Sequence, residues 1–265
     1  MSQTFQVNLP DGATLEGHLD GDGPPIVLIS GLGGTGRFWQ PVLPFLDGFT
    51  TITFDQRAIG NSTRGDALVT IGQLAADVRC LMDHLGLAKP VLVGHSTGGC
   101  IAMECAISAN DNIGGLALSG TWCGPDPYMR NLFAMRMRAL HTDFSLYETI
   151  GTYLAYPAQW LVQHPIVPFG TPAATQNSPR INDIQERIEA LLAFDRRDDL
   201  ACLYRFPALV FGAEDDMVVP VHLQKEISNA LPQSELHLFA TGGHFFPLSR
   251  TAEFSAHLLE WIEGI

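Results

Sequence analysis

No run of apolar residues in this chain approaches the ~20 that a membrane-spanning helix requires. The first residues, Met1-Ser2-Gln3-Thr4-Phe5-Gln6, also lack the basic-then-apolar pattern of a secretory signal, so a cytoplasmic location is the expectation. Cysteine is sparse and odd in number: the five are Cys80, Cys100, Cys105, Cys123 and Cys202, with no C-x-x-C. That argues against a disulfide framework or a zinc ribbon and for buried thiols in a reducing compartment. His84, His141, His164, His222, His237 and His257 show no metal-ligand spacing with one another, so no metal is expected. Positive charge is scarce too. Lys+Arg number 15 against 28 Asp+Glu, a net charge of −13, which repels nucleic acid and anionic membranes. What remains is a chain of 265 residues, 46% hydrophobic and 16% charged: one domain with a real core, or one domain carrying an insertion.

Against those absences stands one motif. The apolar run Val91-Leu92-Val93 stops at Gly94, and a helix-like run, Ile101–Ile107, starts just after Gly99. Between them lies G-x-S-x-G, filled as Gly94-His95-Ser96-Thr97-Gly98. In a nucleophile elbow the chain turns from strand to helix so sharply that small residues must flank the serine, whose hydroxyl is presented on a strained apex. An ordinary glycine-rich strand-to-helix turn is the bland alternative; a buried strand before and a helix after favour the elbow.

The rest of the chain supplies a frame for it. Phe5–Leu9 and Thr14–Leu19 alternate around the turn signal Pro10-Asp11-Gly12, which predicts a hairpin. Ile26–Ile29, Thr51–Phe54, Val91–Val93 and Gly115–Leu118 read as strands, and Ile71–Leu85 as an amphipathic helix. Strands separated by helices predict a parallel sheet covered on both faces. The rhythm breaks near Thr121. From Trp122 to about Leu200 come helix-like pieces rich in Met and aromatics, broken by Pro157, Pro165, Pro168, Pro172 and Pro179. Strands return at Ala208–Phe211 and Glu235–Phe239, and an amphipathic helix over Ala252–Ile262 closes the chain. The expected organisation is a core of residues 1–121 and 201–265 with a helical insertion at 122–200.

A serine hydroxyl is a poor nucleophile at neutral pH and requires a base, which in turn requires an orienting acid. Sites in open α/β sheets lie at the carboxyl ends of strands. Ala208–Phe211 runs into Gly212-Ala213-Glu214-Asp215-Asp216, and Glu235–Phe239 into Ala240-Thr241-Gly242-Gly243-His244. Ser96, an aspartate and His244 thus follow three strands in that order. Asp215 is preferred as the acid because it stands three residues beyond Gly212. Asp216 is the alternative, and would otherwise cap the next turn. The oxyanion of an acyl-transfer intermediate requires N–H donors. Thr97, the residue after the serine, offers one. Leu32, in the loop Ser30-Gly31-Leu32-Gly33-Gly34-Thr35-Gly36, offers the other, and four glycines there permit close backbone approach. His95 is expected to turn away from Ser96 and pack. The glycine loop lacks the Lys-Ser/Thr of a phosphate cradle, so no nucleotide or other cofactor is expected.

With these residues in view, the chain resembles the α/β-hydrolase superfamily over nearly its whole length. The resemblance rests on Ser30-Gly31-Leu32-Gly33-Gly34 with Trp39 downstream, Asp55-Gln56-Arg57-Ala58-Ile59-Gly60-Asn61-Ser62, the elbow, Gly212–Pro220 and Gly242-Gly243-His244. It implies a mostly parallel eight-stranded sheet with helices on both faces and a helical lid insertion. Within the superfamily the chain is most similar to the aminoacrylate (carbamate) hydrolases of pyrimidine breakdown and to enol-lactone hydrolases. Two departures stand out: Ser30-Gly31 replaces the usual His-Gly, and Arg57-Ala58 the usual Arg-Gly. The resemblance implies hydrolysis of a small organic ester, lactone or amide through an acyl-enzyme. A non-hydrolytic small-ligand receptor and a cofactor-free oxygenase are the alternatives on the same scaffold.

In that family the insertion covers the triad. Here it carries many large side chains, Tyr128, Phe144, Tyr147, Tyr156 and Phe169 among them, most of which must pack in the core. Gly31, Trp122, Met129, Phe133, Tyr153, Trp160 and Phe245 are the candidate substrate contacts. Arg130, Arg136 and Arg138 are the cations able to hold a substrate carboxylate, and their spacing keeps them off a single helical face. A small-molecule substrate and a monomeric or homodimeric state complete the expectation.

Overall fold

A computed structural model describes residues 3–108, 112–164 and 178–265. Phe169, Pro165, Pro168 and Pro172 lie outside the described residues. The chain opens with the expected hairpin. Strands β1 (Gln3–Asn8) and β2 (Thr14–Asp20) pair antiparallel, with Asn8 opposite Thr14. Next come β3 (Pro25–Ile29), β4 (Thr50–Phe54), helix α1 (Ile71–His84), β5 (Val91–His95), α2 (Thr97–Ser108) and β6 (Gly115–Ser119). Among the described residues four helices follow, α3 (Pro127–Thr142), α4 (Phe144–Ala155), α5 (Ala158–Gln163) and α6 (Ser178–Ala193). The chain then re-enters the sheet with β7 (Ala208–Ala213), α7 (Val221–Ala230) and β8 (Glu235–Phe239). It ends with the short α8 (Phe246–Ser249) and α9 (Thr251–Glu263).

The eight strands form one sheet in the order β1-β2-β4-β3-β5-β6-β7-β8, parallel from β4 to β8. Alternation along each strand sends side chains to opposite faces. Val27 and Ile29 of β3 join the core beneath α1, α2 and α7, whereas Ile26 and Leu28 join Trp39 and the α9 residues Phe254, Leu258 and Trp261 on the other side. Both faces are therefore dry, which is why the central strands read as nearly continuous apolar runs. No described helix is long and apolar enough to cross a membrane.

Helix starts are written locally. Thr70 caps α1 through the N–H of Gln73, and Asp126 caps α3 through that of Met129, with Pro127 filling the first turn. The turn after β4 is fixed by charge. The buried Arg57 guanidinium bonds both carboxylate oxygens of Asp77 on α1 at 2.6 Å, and Asp11 of the hairpin at 2.6 Å. The bond from Arg57 holds the Asp11 carboxyl well below the usual carboxylate range.

Candidate active site

Three strand ends build the site. At the end of β5 the chain reverses into α2 through Ser96, whose φ is +55°, a conformation that side chains rarely adopt. The flanking glycines are required sterically. A Cβ at Gly94 would lie 2.3 Å from the carbonyl oxygen of Gly98, and one at Gly98 would lie 2.1 Å from that of Ile29. The Ser96 N–H bonds the carbonyl of Ser119 at 2.8 Å and so locks the apex to β6. This is the strained strand-to-helix turn that the motif implied.

Beyond β8, Gly242 and Gly243 take φ values of +152° and +63° and deliver His244 into the interior. His244 Nδ1 lies 2.8 Å from Oδ2 of Asp216, with both side chains buried. The expectation that Asp215 would partner this imidazole is therefore corrected. Strand β7 does not stop near Phe211. Gly212 and Ala213 continue the pairing, opposite Leu238 and Phe239 of β8. The position three residues past the strand end is thus Asp216, whose N–H closes the turn onto Ala213 at 3.2 Å. Asp216 also fulfils the capping role foreseen for it, since its Oδ1 accepts from the N–H groups of Val218 and Val219. Asp215 instead accepts the Gly243 N–H at 2.8 Å and so braces the backbone beside His244.

Ser96 and His244 border one cavity of about 310 Å³, with Gly31, Leu32, Phe133 and Phe245. Gly31 lies against Ser96: a Cβ there would sit 3.0 Å from its Cβ and 3.5 Å from its Oγ. The Leu32 N–H has no acceptor among the described residues. Thr97 opens α2, where the first N–H groups have no partner within the helix. Gln56 Nε2 donates to the Ser30 carbonyl at 2.6 Å, while the buried Arg187 of α6 donates to Gln56 Oε1 at 2.7 Å. Burial lowers the Arg187 pKa to about 10. A chain of bonds therefore runs from the helices after β6, through Gln56, to the glycine loop beside the serine.

Four expected contacts are not on the cavity wall. Trp122 and Met129 are fully buried in the core under α2, Tyr153 is two-thirds exposed, and Trp160 stacks on Tyr156 at 4.0 Å and on His164 at 4.1 Å, outside the cavity. The reason is helical phase. On α4 the cavity stripe is Phe144, Tyr147, Glu148, Gly151, Thr152 and Ala155, spaced by three and four, and Tyr153 falls off it. Residue type selects the aromatics, whereas helical phase selects the stripe, and which stripe faces the cavity is set when α4 packs against α3. Phe38, Ile184 and Val218 are other wall residues not anticipated as contacts, and of the three arginines expected as cations Arg136 borders the cavity.

His95 packs as expected but also borders the cavity. Its Nδ1 lies 3.0 Å from Ser119 Oγ, Phe38 stacks on it at 4.9 Å, and the His244 ring is 4.9 Å away. Burial, helped by the neighbouring His244, drives its pKa well below the ordinary histidine value. Away from the cavity, the rings of His237 of β8 and His257 of α9 lie 3.7 Å apart, tilted by 35°, beside Glu253. The ligating atoms of these three groups lie within 4.8 Å of one another, a proximity that residue spacing did not reveal because two elements supply them.

The elbow serine, the strand-end aspartate and the histidine after β8 thus come together at the carboxyl ends of three strands. Residues 24–251 match the α/β hydrolase fold family, to which the chain therefore belongs; it is an α/β-fold hydrolase. A protein of Caulobacter sp. (strain K31) named "Putative carbamate hydrolase RutD" is 32% identical over 249 residues, covering 92% of each chain. The solved enol-lactonase of Burkholderia xenovorans LB400 superposes with a TM-score of 0.83 at 23% identity, over 98% of this chain and 100% of that one. An esterase of Exiguobacterium antarcticum reaches 0.85 at 20% identity with the same coverage. These two establish likeness of fold.

Proposed function

We propose that the chain is a serine hydrolase of small organic esters, lactones or amides, with Ser96 as nucleophile, His244 as base and Asp216 as the acid that orients it. The observation that carries this reading is the buried 2.8 Å bond from His244 Nδ1 to Asp216, made on the wall of the cavity that also holds the elbow serine. With Nδ1 engaged, Nε2 is the ring nitrogen left to take the proton of Ser96 Oγ as that oxygen attacks a carbonyl carbon. The N–H groups of Leu32 and Thr97 stabilise the oxyanion. Collapse expels the alcohol or amine, which takes the proton from His244 and leaves an acyl-serine. Water, deprotonated by His244, then releases the acid and regenerates Ser96. Helices α3, α4 and α6 act as a lid, since they supply Phe133, Tyr147 and Ile184 to the wall. The printed name of the Caulobacter relative makes carbamates a natural part of the first substrate panel, and the fold of the lactonase adds enol-lactones.

The test is covalent. A fluorophosphonate should label Ser96 stoichiometrically, and Ser96→Ala should lose labelling and lower kcat by a factor on the order of 10⁶ if the three groups act as a unit. More than a tenth of wild-type turnover in Ser96→Ala would overturn the serine mechanism.

A further inference from the structure

Among the described residues, one cation borders the cavity that holds Ser96 and His244. It is Arg136 of α3, half-buried. Of the three arginines on α3, Arg130 is exposed and donates to the Leu192 carbonyl at 3.2 Å, and Arg138 is exposed. Arg136 has no ion-pair or hydrogen-bond partner among the described residues, and its Nε is buried without an acceptor. Its Cζ lies 4.7 Å from the ring centre of Tyr147 and 5.4 Å from that of Phe133. Aromatic rings favour a nearby cation but accept none of its in-plane N–H bonds. Glu148 also borders the cavity.

Space has been left around the guanidinium. A Cβ at Gly151, on the facing turn of α4, would come within 2.8 Å of Arg136 Nη2. A buried donor without an acceptor is costly, and a fork of N–H groups matches the two oxygens of a carboxylate. We propose that Arg136 binds a carboxylate on the substrate, which makes the substrate class acyl compounds bearing a second, anionic carboxylate group. This inference rests on the serine-hydrolase reading, because it treats the cavity beside Ser96 as the place where the acyl group is held. With about 310 Å³ available, the carboxylate and the scissile carbonyl must belong to one small molecule.

The experiment compares monomethyl esters of succinate, glutarate and adipate with methyl butyrate, following release of the acid and methanol in a pH-stat. Wild-type protein should show a kcat/KM at least tenfold higher for one of the anionic esters, carried mainly by KM. In Arg136→Gln the ratio of anionic to neutral ester should fall about tenfold to a hundredfold, the range of a charge-assisted hydrogen bond, with part of it retained in Arg136→Lys. The ratio is internal to each protein, so a loss of folded enzyme leaves it unchanged. A wild-type ratio of one or below, or an unchanged ratio in Arg136→Gln, overturns the inference while leaving the serine mechanism standing. Failure of every ester together with failure of fluorophosphonate labelling would instead sink the serine reading.

Discussion

Adjacent aspartates divide the work at this site. Asp216 places Oδ2 on the imidazole and Oδ1 on two backbone N–H groups, while Asp215 holds the peptide before the histidine. A carboxylate on Nδ1 fixes the tautomer and stabilises the imidazolium of the transition state, so Asp216→Asn should lower kcat by roughly 10⁴ with little change in KM. Asp215→Asn removes an acceptor from one N–H and should cost on the order of 1 kcal/mol of stability, with kcat within about tenfold of wild type. Steady-state kinetics and denaturant titration of both variants check this. The opposite pattern would return the acid to Asp215. The sequence placed both residues correctly at the end of a strand. It missed the choice because strand ends are set by pairing: Gly212 and Ala213 extend β7 only because β8 is there to bond them.

At the scale of the element, the turns that carry the site are under backbone strain. Ala58 has φ +61° and Ser96 φ +55°, and each sits in a turn just after a strand. Ala58 stands where the resemblance leads one to expect glycine, and the structure explains the expectation: the left-handed conformation costs a side-chain-bearing residue about 1–2 kcal/mol. Ala58→Gly should therefore stabilise the protein by about 0.5–1 kcal/mol, after allowance for the greater freedom of glycine in the unfolded chain. Gly98→Ala should do the reverse. Its Cβ would meet the Ile29 carbonyl oxygen at 2.1 Å, so a loss of about 3 kcal/mol or more is expected, and Ser96 moves with it. Urea titrations of the two variants, with activity measured alongside, check both; a neutral Gly98→Ala would mean that the elbow relaxes freely.

Taken whole, the molecule combines a net charge of −13 with buried groups whose protonation is tied to folding. His95 is held neutral by burial and by the neighbouring His244, and His237 is pushed in the same direction by burial and then by His257. Their folded pKa values lie below the unfolded one, so the unfolded chain binds more protons as pH falls, and stability drops below about pH 6.5. His95 alone should contribute a slope of about 1.4 kcal/mol per pH unit in that window. Asp11 follows at lower pH. Its folded pKa is depressed by Arg57, so its contribution is complete above the usual carboxylate pKa of about 4 and is lost as pH falls further. Denaturant titrations from pH 8 to pH 4 should show stability declining from about pH 6.5 and steepening near pH 4. A stability flat between pH 7 and pH 5 would mean that His95 is solvated in the native state.

The sequence alone determined the local and periodic features. The hairpin, the alternation of strands and helices, the elbow and the histidine after the last strand were legible because each rests on a turn residue, a short apolar run or a motif whose sterics involve only neighbours in the chain. The mostly parallel eight-stranded sheet is what the family resemblance implied, and the glycines around Ser96 sit where backbone contact forbids a side chain. Tertiary structure decided what depends on partners distant in sequence. Asp216 rather than Asp215 meets His244 because β8 prolongs β7. Phe133, Tyr147 and Arg136 face the cavity while Trp122 and Met129 sink into the core, because helices α3 and α4 settle on the sheet at a phase their own residues do not specify. The bonds from Arg187 through Gln56 to Ser30 span 131 and 26 residues of chain, and no local pattern encodes a contact made only once the sheet and its covering helices have come together.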